Sequence, residues 1–354
     1  MSPFRYAARS LGRARGFSAA TIATIALAIG AGCAVFGLVN AVLLRPLPYP
    51  NSDRLVGIWH TMPGLGIRTA KQATGTYTIY REGARSFEDM GIYISLAATL
   101  TYPRRDLPPE RLRLSWVTPS IYSVLGAKPL LGRLFTDTDA NKGAPAIVVI
   151  SERLWRTRFG GHRRVIGETI DVDGEPRYIV GVMPASFAFP EARTLIWAPM
   201  VDVATSPYVG GFAYDGIGRL RPGVTLNAAQ RELQQILKGL PDRFPEMRPG
   251  VATAPGLRQT QLAPVVHQMR DDVIAGFDRV LWLIAATVGL LALVAFSNVA
   301  SLLLVRVESR RREFAVRSAL GASTWGVWKD LIAEAAVVAT LGGLIGFALA
   351  ALSL

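Results

Sequence analysis

Five arginines crowd one short stretch of this chain: Arg306, Arg310, Arg311, Arg312 and Arg317, with Glu313 four residues ahead of Arg317. On a helix that spacing lets Glu313 and Arg317 pair. Phe314 and Leu320 add apolar contacts to the same two turns, and the stretch ends at Gly321. The chemistry on offer is recognition, with guanidinium groups set against carboxylates or carbonyls of a partner. Covalent chemistry finds far less support. His60, His162 and His267 are widely separated and lack metal-ligand spacing. The chain has no Gly-x-Ser-x-Gly elbow and no Gly-x-x-x-x-Gly-Lys-Ser/Thr phosphate loop. Asp137-Thr-Asp139-Ala-Asn141-Lys142-Gly143 imitates a calcium loop, but Lys142 occupies the glycine position and Val148 the bidentate-acid position. A solvated, Asx-turn-rich loop is expected there instead. Glu82, Glu88 and Asp89 are expected on the wet face of a helix. The reading is therefore of a protein that is not an enzyme, with no catalytic residue, no metal and no cofactor of its own.

The elements that position the arginine cluster are apolar. Gly16 to Leu44 is a run of 29 residues without a charge, roughly 43 Å as a helix. Residues 280–305 and 335–354 are likewise uncharged. A bilayer core needs only ~20 residues, so three membrane spans are expected, at 17–44, 280–305 and 332–354. Residues 1–16 carry Arg5, Arg9, Arg13 and Arg15 and no acid, a net +4. Residues 306–330 carry five arginines and Lys329 against Glu308, Glu313 and Asp330, a net +3. Both basic flanks are expected on the cytoplasmic side, which places residues 45–278 outside. The net charge of +13 then has a topological origin, and basic segments with interleaved aromatics that would suit nucleic acid are missing. Cys33 is the single cysteine, so the outer domain is expected to be held by its core and not by disulfides.

Within the spans, Ala26, Gly30 and Ala34 recur every four residues, and Gly342 and Gly346 repeat that spacing. Small residues at this period let helix backbones approach closely. Asn298 is a polar residue inside the second span and is expected to bond a neighbouring helix.

The outer region reads as α+β. Leu55–Trp59, Ile92–Leu100, Ile217–Leu220 and residues 251–263 are expected strands, and Thr76–Met90 an expected helix. A second helix carries Leu226, Ala229, Leu233, Ile236, Leu237 and Leu240, with Thr225 and Asn227 as candidate N-caps. These give two βαβ units. Between them Arg111–Val117, Ala146–Ile150, Thr169–Val172 and Arg177–Val182 suggest a β-rich insert, with Asp173-Gly174 as a hairpin turn. Pro119–Leu125 is a short helix candidate, Ser151 caps another, and Pro184–Pro199 reads as an aromatic-rich loop.

Several stretches resemble a known family. Asn298-Val-Ala-Ser-Leu-Leu-Leu-Val-Arg306 followed by Arg311-Arg312-Glu313-Phe314-Ala-Val-Arg317-Ser-Ala-Leu320-Gly321 is similar to the core signature of MacB/FtsX-type ABC transporter permeases, as are Glu334-Ala and Gly342-Gly343-Leu-Ile-Gly346. Val124-Leu-Gly-Ala-Lys-Pro-Leu-Leu-Gly132-Arg133-Leu-Phe135, Leu154-Trp155-Arg-Thr-Arg-Phe159-Gly160-Gly161, Val180-Gly181-Val182-Met-Pro184 and Gly218-Arg219-Leu-Arg-Pro222-Gly223 resemble the family's periplasmic core domain. The duplicated orphan permease subgroup is the most similar. The resemblance implies an α-helical membrane protein of the bacterial inner membrane, multi-pass, with an α+β extracytoplasmic domain. Its porter-like halves would be 46–103 and 209–278, and its inserted subdomain 104–208. It also implies mechanotransmission: a separate cytoplasmic ABC ATPase, carrying ATP and Mg²⁺, drives the membrane helices, which move the outer domain for efflux or envelope substrate handling. Arg311, Arg312, Glu313, Phe314, Arg317, Leu320 and Gly321 would form the coupling segment at 306–330. A second permease copy or half, and the lipid bilayer, complete the implied partners. Family units have four spans, so a first half or truncated product is expected here. The alternative is a membrane-anchored extracytoplasmic sensor or receptor. The third apolar run and the lack of a heptad-patterned signalling helix speak against it.

Overall fold

A computed structural model describes residues 15–39, 47–102, 107–203, 205–206, 208–274, 278–309 and 324–353. The chain divides into an α/β unit, Pro46–Val273, and a helical unit formed by the segments on either side. The expected coupling residues Arg311, Arg312, Glu313, Phe314, Arg317, Leu320 and Gly321 lie outside the described residues.

The chain begins in α1 (Arg15–Val39). The α/β unit opens with β1 (Leu55–Met62), β2 (Ile67–Ala70), α2 (Thr74–Gly83) and β3 (Phe87–Thr101). Its middle holds β4 (Glu110–Val117), α3 (Ser120–Leu125), β5 (Leu131–Gly132), β6 (Ile147–Ser151), α4 (Glu152–Phe159), β7 (Thr169–Val172), β8 (Glu175–Met183) and β9 (Thr194–Pro199). It closes with β10 (Asp215–Leu220), α5 (Leu226–Leu237), α6 (Leu240–Arg243), β11 (Glu246–Arg248), β12 (Val251–Ala252), α7 (Thr253–Thr260), β13 (Ala263–Gln268) and α8 (Met269–Ile274). Two long apolar helices follow, α9 (Asp278–Ser309) and α10 (Thr324–Ser353). Among the described residues, α1, α9 and α10 are the three helices long and apolar enough to cross a membrane.

One sheet runs through the whole α/β unit in the order β13-β1-β10-β3-β4-β9-β6-β8-β5, with β2 against β1 and β7 against β3 and β8. β1 is antiparallel to both β10 and β13, so β1–α2–β3 and β10–α5–β13 interleave as a split βαβ arrangement. α2 and α5 lay Tyr77, Ile79, Tyr80, Ala229, Leu233 and Leu237 on one face, against Val56, Ile58, Ile92 and Val266. Thr225 caps α5, its side chain accepting from the Ala228 N–H. In the middle of the unit, β6 alternates strictly. Ile147 and Val149 enter one cluster, and Val148 and Ile150 the other. All four are buried, as a strand covered on both faces requires.

Three sequence expectations are corrected. The helix expected over Thr76–Met90 ends at Gly83, and Phe87–Met90 is already strand, paired with β10. The Glu232 carboxylate accepts from the N–H groups of Arg85 and Ser86 and turns the chain out of the helix. Glu88 and Asp89 therefore sit on a strand, where Glu88 pairs with Arg54 and Asp89 with Arg81. The strand expected over 251–263 is a two-residue strand followed by α7. Pro255 falls in the first turn of α7, where its missing N–H costs nothing. The expected loop Pro184–Pro199 ends in β9, a parallel partner of β4 and an antiparallel partner of β6. Its Trp197 is fully buried and donates to the Phe189 carbonyl at 2.9 Å.

The calcium-like loop, expected to be solvated, is instead tied down by its own side chains. Asp139 is buried, and both its oxygens accept from the Arg133 guanidinium, at 2.6 and 2.9 Å. The same carboxylate accepts from the N–H and hydroxyl of Thr136. These bonds, Arg133 foremost, push the Asp139 carboxyl down to about 2. A depressed carboxyl stabilises the fold above its ordinary pKa and loses that contribution as pH falls through its folded value. Asp139→Asn is therefore expected to lower the thermal midpoint at neutral pH, and the gap from wild type should close as pH drops from 3.8 towards 2. Thermal unfolding across that range checks this; a gap that stays constant is the contrary outcome.

Candidate functional site: the helix seam and the connectors

In the helical unit, α1 meets α10 along the small-residue stripes. Gly30, Gly342 and Gly346 are buried, as is Ala26. A Cβ on Gly346 would stand 2.6 Å from the Ala26 carbonyl oxygen, and one on Gly342 2.7 Å from Ile25 Cγ2. A Cβ on Gly30 would stand 3.2 Å from the Gly346 carbonyl. These glycines are what allow the two backbones to touch. Ala34 is half-buried, one turn beyond the closest approach, and Asn298 is exposed on α9.

The α/β unit is tied to its connectors from below the sheet. Leu47 and Tyr49, in the connector after α1, and Met269, at the start of α8, pack into one cluster with Ile121, Tyr122, Phe187 and Ile217. Tyr49 meets Phe187 edge-on at 6.4 Å. Arg219 of β10 is buried, yet its guanidinium donates to the carbonyls of Val124, Pro50 and Asn51. It thereby joins the C-terminal end of α3 and the first connector to the sheet. Burial lowers the Arg219 pKa, and neighbouring Arg54 pushes the same way. Among the described residues no three His, Cys, Asp or Glu side chains gather as a metal site.

Residues 18–236 match the family described as the MacB-like periplasmic core domain, and residues 285–354 match the FtsX-like permease C-terminal family. The chain belongs to the MacB-like permease family. It is 29% identical over 246 residues to the macrolide export ATP-binding/permease protein MacB of Burkholderia cenocepacia (strain HI2424), a match covering 67% of this chain and 33% of that protein. The corresponding protein of Shewanella sp. (strain ANA-3) is 28% identical over 263 residues, covering 73% and 37%. The chain thus spans about a third of the length of these curated relatives. The periplasmic region of MacB from Actinobacillus actinomycetemcomitans aligns at 14% identity and a TM-score of 0.46, covering 67% of this chain and 98% of that one. With three helices of spanning length and a MacB-like core domain, the chain is a membrane protein with an extracytoplasmic domain.

The MacB-like motifs now have physical roles. In Gly132-Arg133-Leu-Phe135, Gly132 takes φ +73° where a Cβ would strike the Val180 carbonyl. Arg133 holds Asp139, and Phe135 enters the core. In Gly218-Arg219-Leu-Arg-Pro222-Gly223, Gly218 makes room for Phe87, Arg219 ties the first connector, and Gly223 turns the chain at φ +80°. Gly160 and Gly161, both at positive φ, end α4 behind the buried Leu154 and Phe159. In the sequence Arg219 is marked only by its place in that stretch and by a charge at an inward position of a strand pattern.

The seam makes a position-specific prediction. Gly346→Val should cost about 1–3 kcal/mol through overpacking and lower the thermal midpoint in detergent. Gly343→Val should be nearly neutral, because a Cβ there meets only Ile29 Cδ1 at 3.7 Å. Equal destabilisation by the two variants would contradict the seam.

Proposed function

We infer that this chain is the permease unit of an ABC transporter of the mechanotransmission type. One observation carries the reading: a MacB-like core domain and an FtsX-like permease segment follow each other on one chain, each attached to helices of spanning length. A cytoplasmic ABC ATPase supplies ATP and Mg²⁺ in this reading, as the ATP-binding/permease relatives suggest. Closure of that ATPase moves the cytoplasmic ends of α9 and α10, and the two connectors pass the movement to the sheet. The host membrane is the bacterial inner membrane, crossed several times, and the outcome is efflux or handling of an envelope substrate. A second permease copy or half covers the outer side of α9, where Asn298 is exposed together with Leu291, Val294 and Phe296.

The coupling segment, 306–330, is where the ATPase docks, through residues between Arg311 and Gly321. Phe314 and Leu320 provide apolar contacts, and Arg312 and Arg317 face acidic or carbonyl groups. Arg317→Glu leaves the other flank arginines to hold the topology while setting like charges against the dock. Membrane levels are expected to stay normal, and both ATPase pull-down and transport to be lost. Retention of partner binding with wild-type transport in Arg317→Glu would remove this segment from the coupling role.

A further inference from the structure

The second connector leaves the sheet through α8, a helix of only six residues. Two of its side chains reach back. Met269 enters the apolar cluster beneath the sheet. Three residues later, and so on the same side of the helix, Asp272 accepts a hydrogen bond from His267 Nε2 at 2.5 Å. The imidazole is itself held, its ring 4.3 Å from that of Trp59 on β1. His267 lies opposite Gly57 in the β1–β13 register. A Cβ at Gly57 would overlap both the Asp272 carboxylate and the imidazole, so the pair rests directly on backbone that carries no side chain. Burial raises the Asp272 carboxyl, and the bond from His267 opposes that shift. Asp215 and Asp271 are the other charged groups that act on it, both adding to the rise.

A short helix fixed at one point can swivel; fixed at two points on one side, it cannot. We propose that Asp272 and His267, seated over Gly57, are the transmission residues of the second connector, clasping α8 to the sheet so that displacement of α9 is delivered to β13 and β1. The inference rests on the permease reading above. It adds the residues through which movement would pass, and neither the apolar anchor nor the family match assigns them.

The test uses the full chain in nanodiscs. Without any ATPase, hydrogen exchange of residues 269–274 should quicken by more than tenfold in Asp272→Ala and in Gly57→Ala, while β1 and β10 keep their protection. Asp272→Asn retains an acceptor oxygen for the imidazole N–H and should behave as wild type. Unchanged exchange in both variants overturns the proposal, and so does exchange that quickens through β1 and β10 as well. With the ATPase bound, spin labels at Lys142 and Val305 (in a Cys33→Ala background) should show an ATP-dependent distance change in wild type and Asp272→Asn. In Asp272→Ala that change should fall by more than half while ATP hydrolysis stays within twofold. An undiminished change in Asp272→Ala overturns the proposal. A wild-type complex with no ATP-dependent change contradicts the permease reading instead, and the exchange arm, which needs no ATPase, then decides the clasp alone.

Discussion

Both connectors of the α/β unit are seated in one apolar cluster under one sheet, and the rest of the unit is arranged around that constraint. Leu47 and Tyr49 approach from one connector and Met269 from the other. α3 supplies Ile121, Tyr122, Val124 and Leu125 as the floor. A buried guanidinium is costly unless its donors find acceptors, and Arg219 places Nε on the Val124 carbonyl and Nη1 on those of Pro50 and Asn51, while its buried Nη2 has no partner. The same three bonds fix where the chain leaves α3 and where it arrives from α1. Replacing Arg219 by an apolar residue would fill the space but take the donor from the Val124 and Pro50 carbonyls, leaving the Asn51 carbonyl only the Arg54 N–H.

The sheet is also continuous across what the sequence presents as halves and an insert. β3 is 15 residues long, about 50 Å at strand rise. Its first part pairs with β10 and its second with β4, the two meeting at Tyr93, opposite both Asp215 and Val117. The insert is thus joined to the split βαβ part through one continuous strand, β3, hydrogen-bonded to β10 and to β4 in turn. Arg158 strengthens the far end, forming two bonds to Glu110, which also accepts from Tyr102. A displacement delivered to β1 and β10 has a stiff path into β4, β9 and β6.

Local signals made much of this legible. The 3.6 period of α5, the Thr225 cap, and the Asp173-Gly174 turn between β7 and β8 all depend on residues close in sequence. The seam was legible for the same reason, since Ala26, Gly30, Gly342 and Gly346 repeat every four residues. The misreadings are places where a distant partner decided the outcome. Nothing local in Phe87-Glu88-Asp89-Met90 announces a strand, and it is pairing with Leu220 and Arg219 that makes it one. Flanking prolines and aromatics disguised β9, whose strand character comes from β4 and β6 on either side. Arg219 lies in a family-like stretch that does not announce its role, and the pair His267–Asp272 carries no motif at all. Their meaning depends on Pro50, Asn51 and Gly57, which only the fold brings near.

A family with ATP-binding/permease relatives, in a chain that spans about a third of their length, leaves the source of energy as the central question. The permease reading places nucleotide chemistry wholly on a separate subunit. The direct test is ATP hydrolysis by the purified chain in nanodiscs, alone and again together with the cytoplasmic ABC ATPase that the reading assigns to it. The account predicts no turnover by the chain alone and turnover by the complex. ATP hydrolysis by the chain alone that survives removal of contaminating ATPases would contradict it.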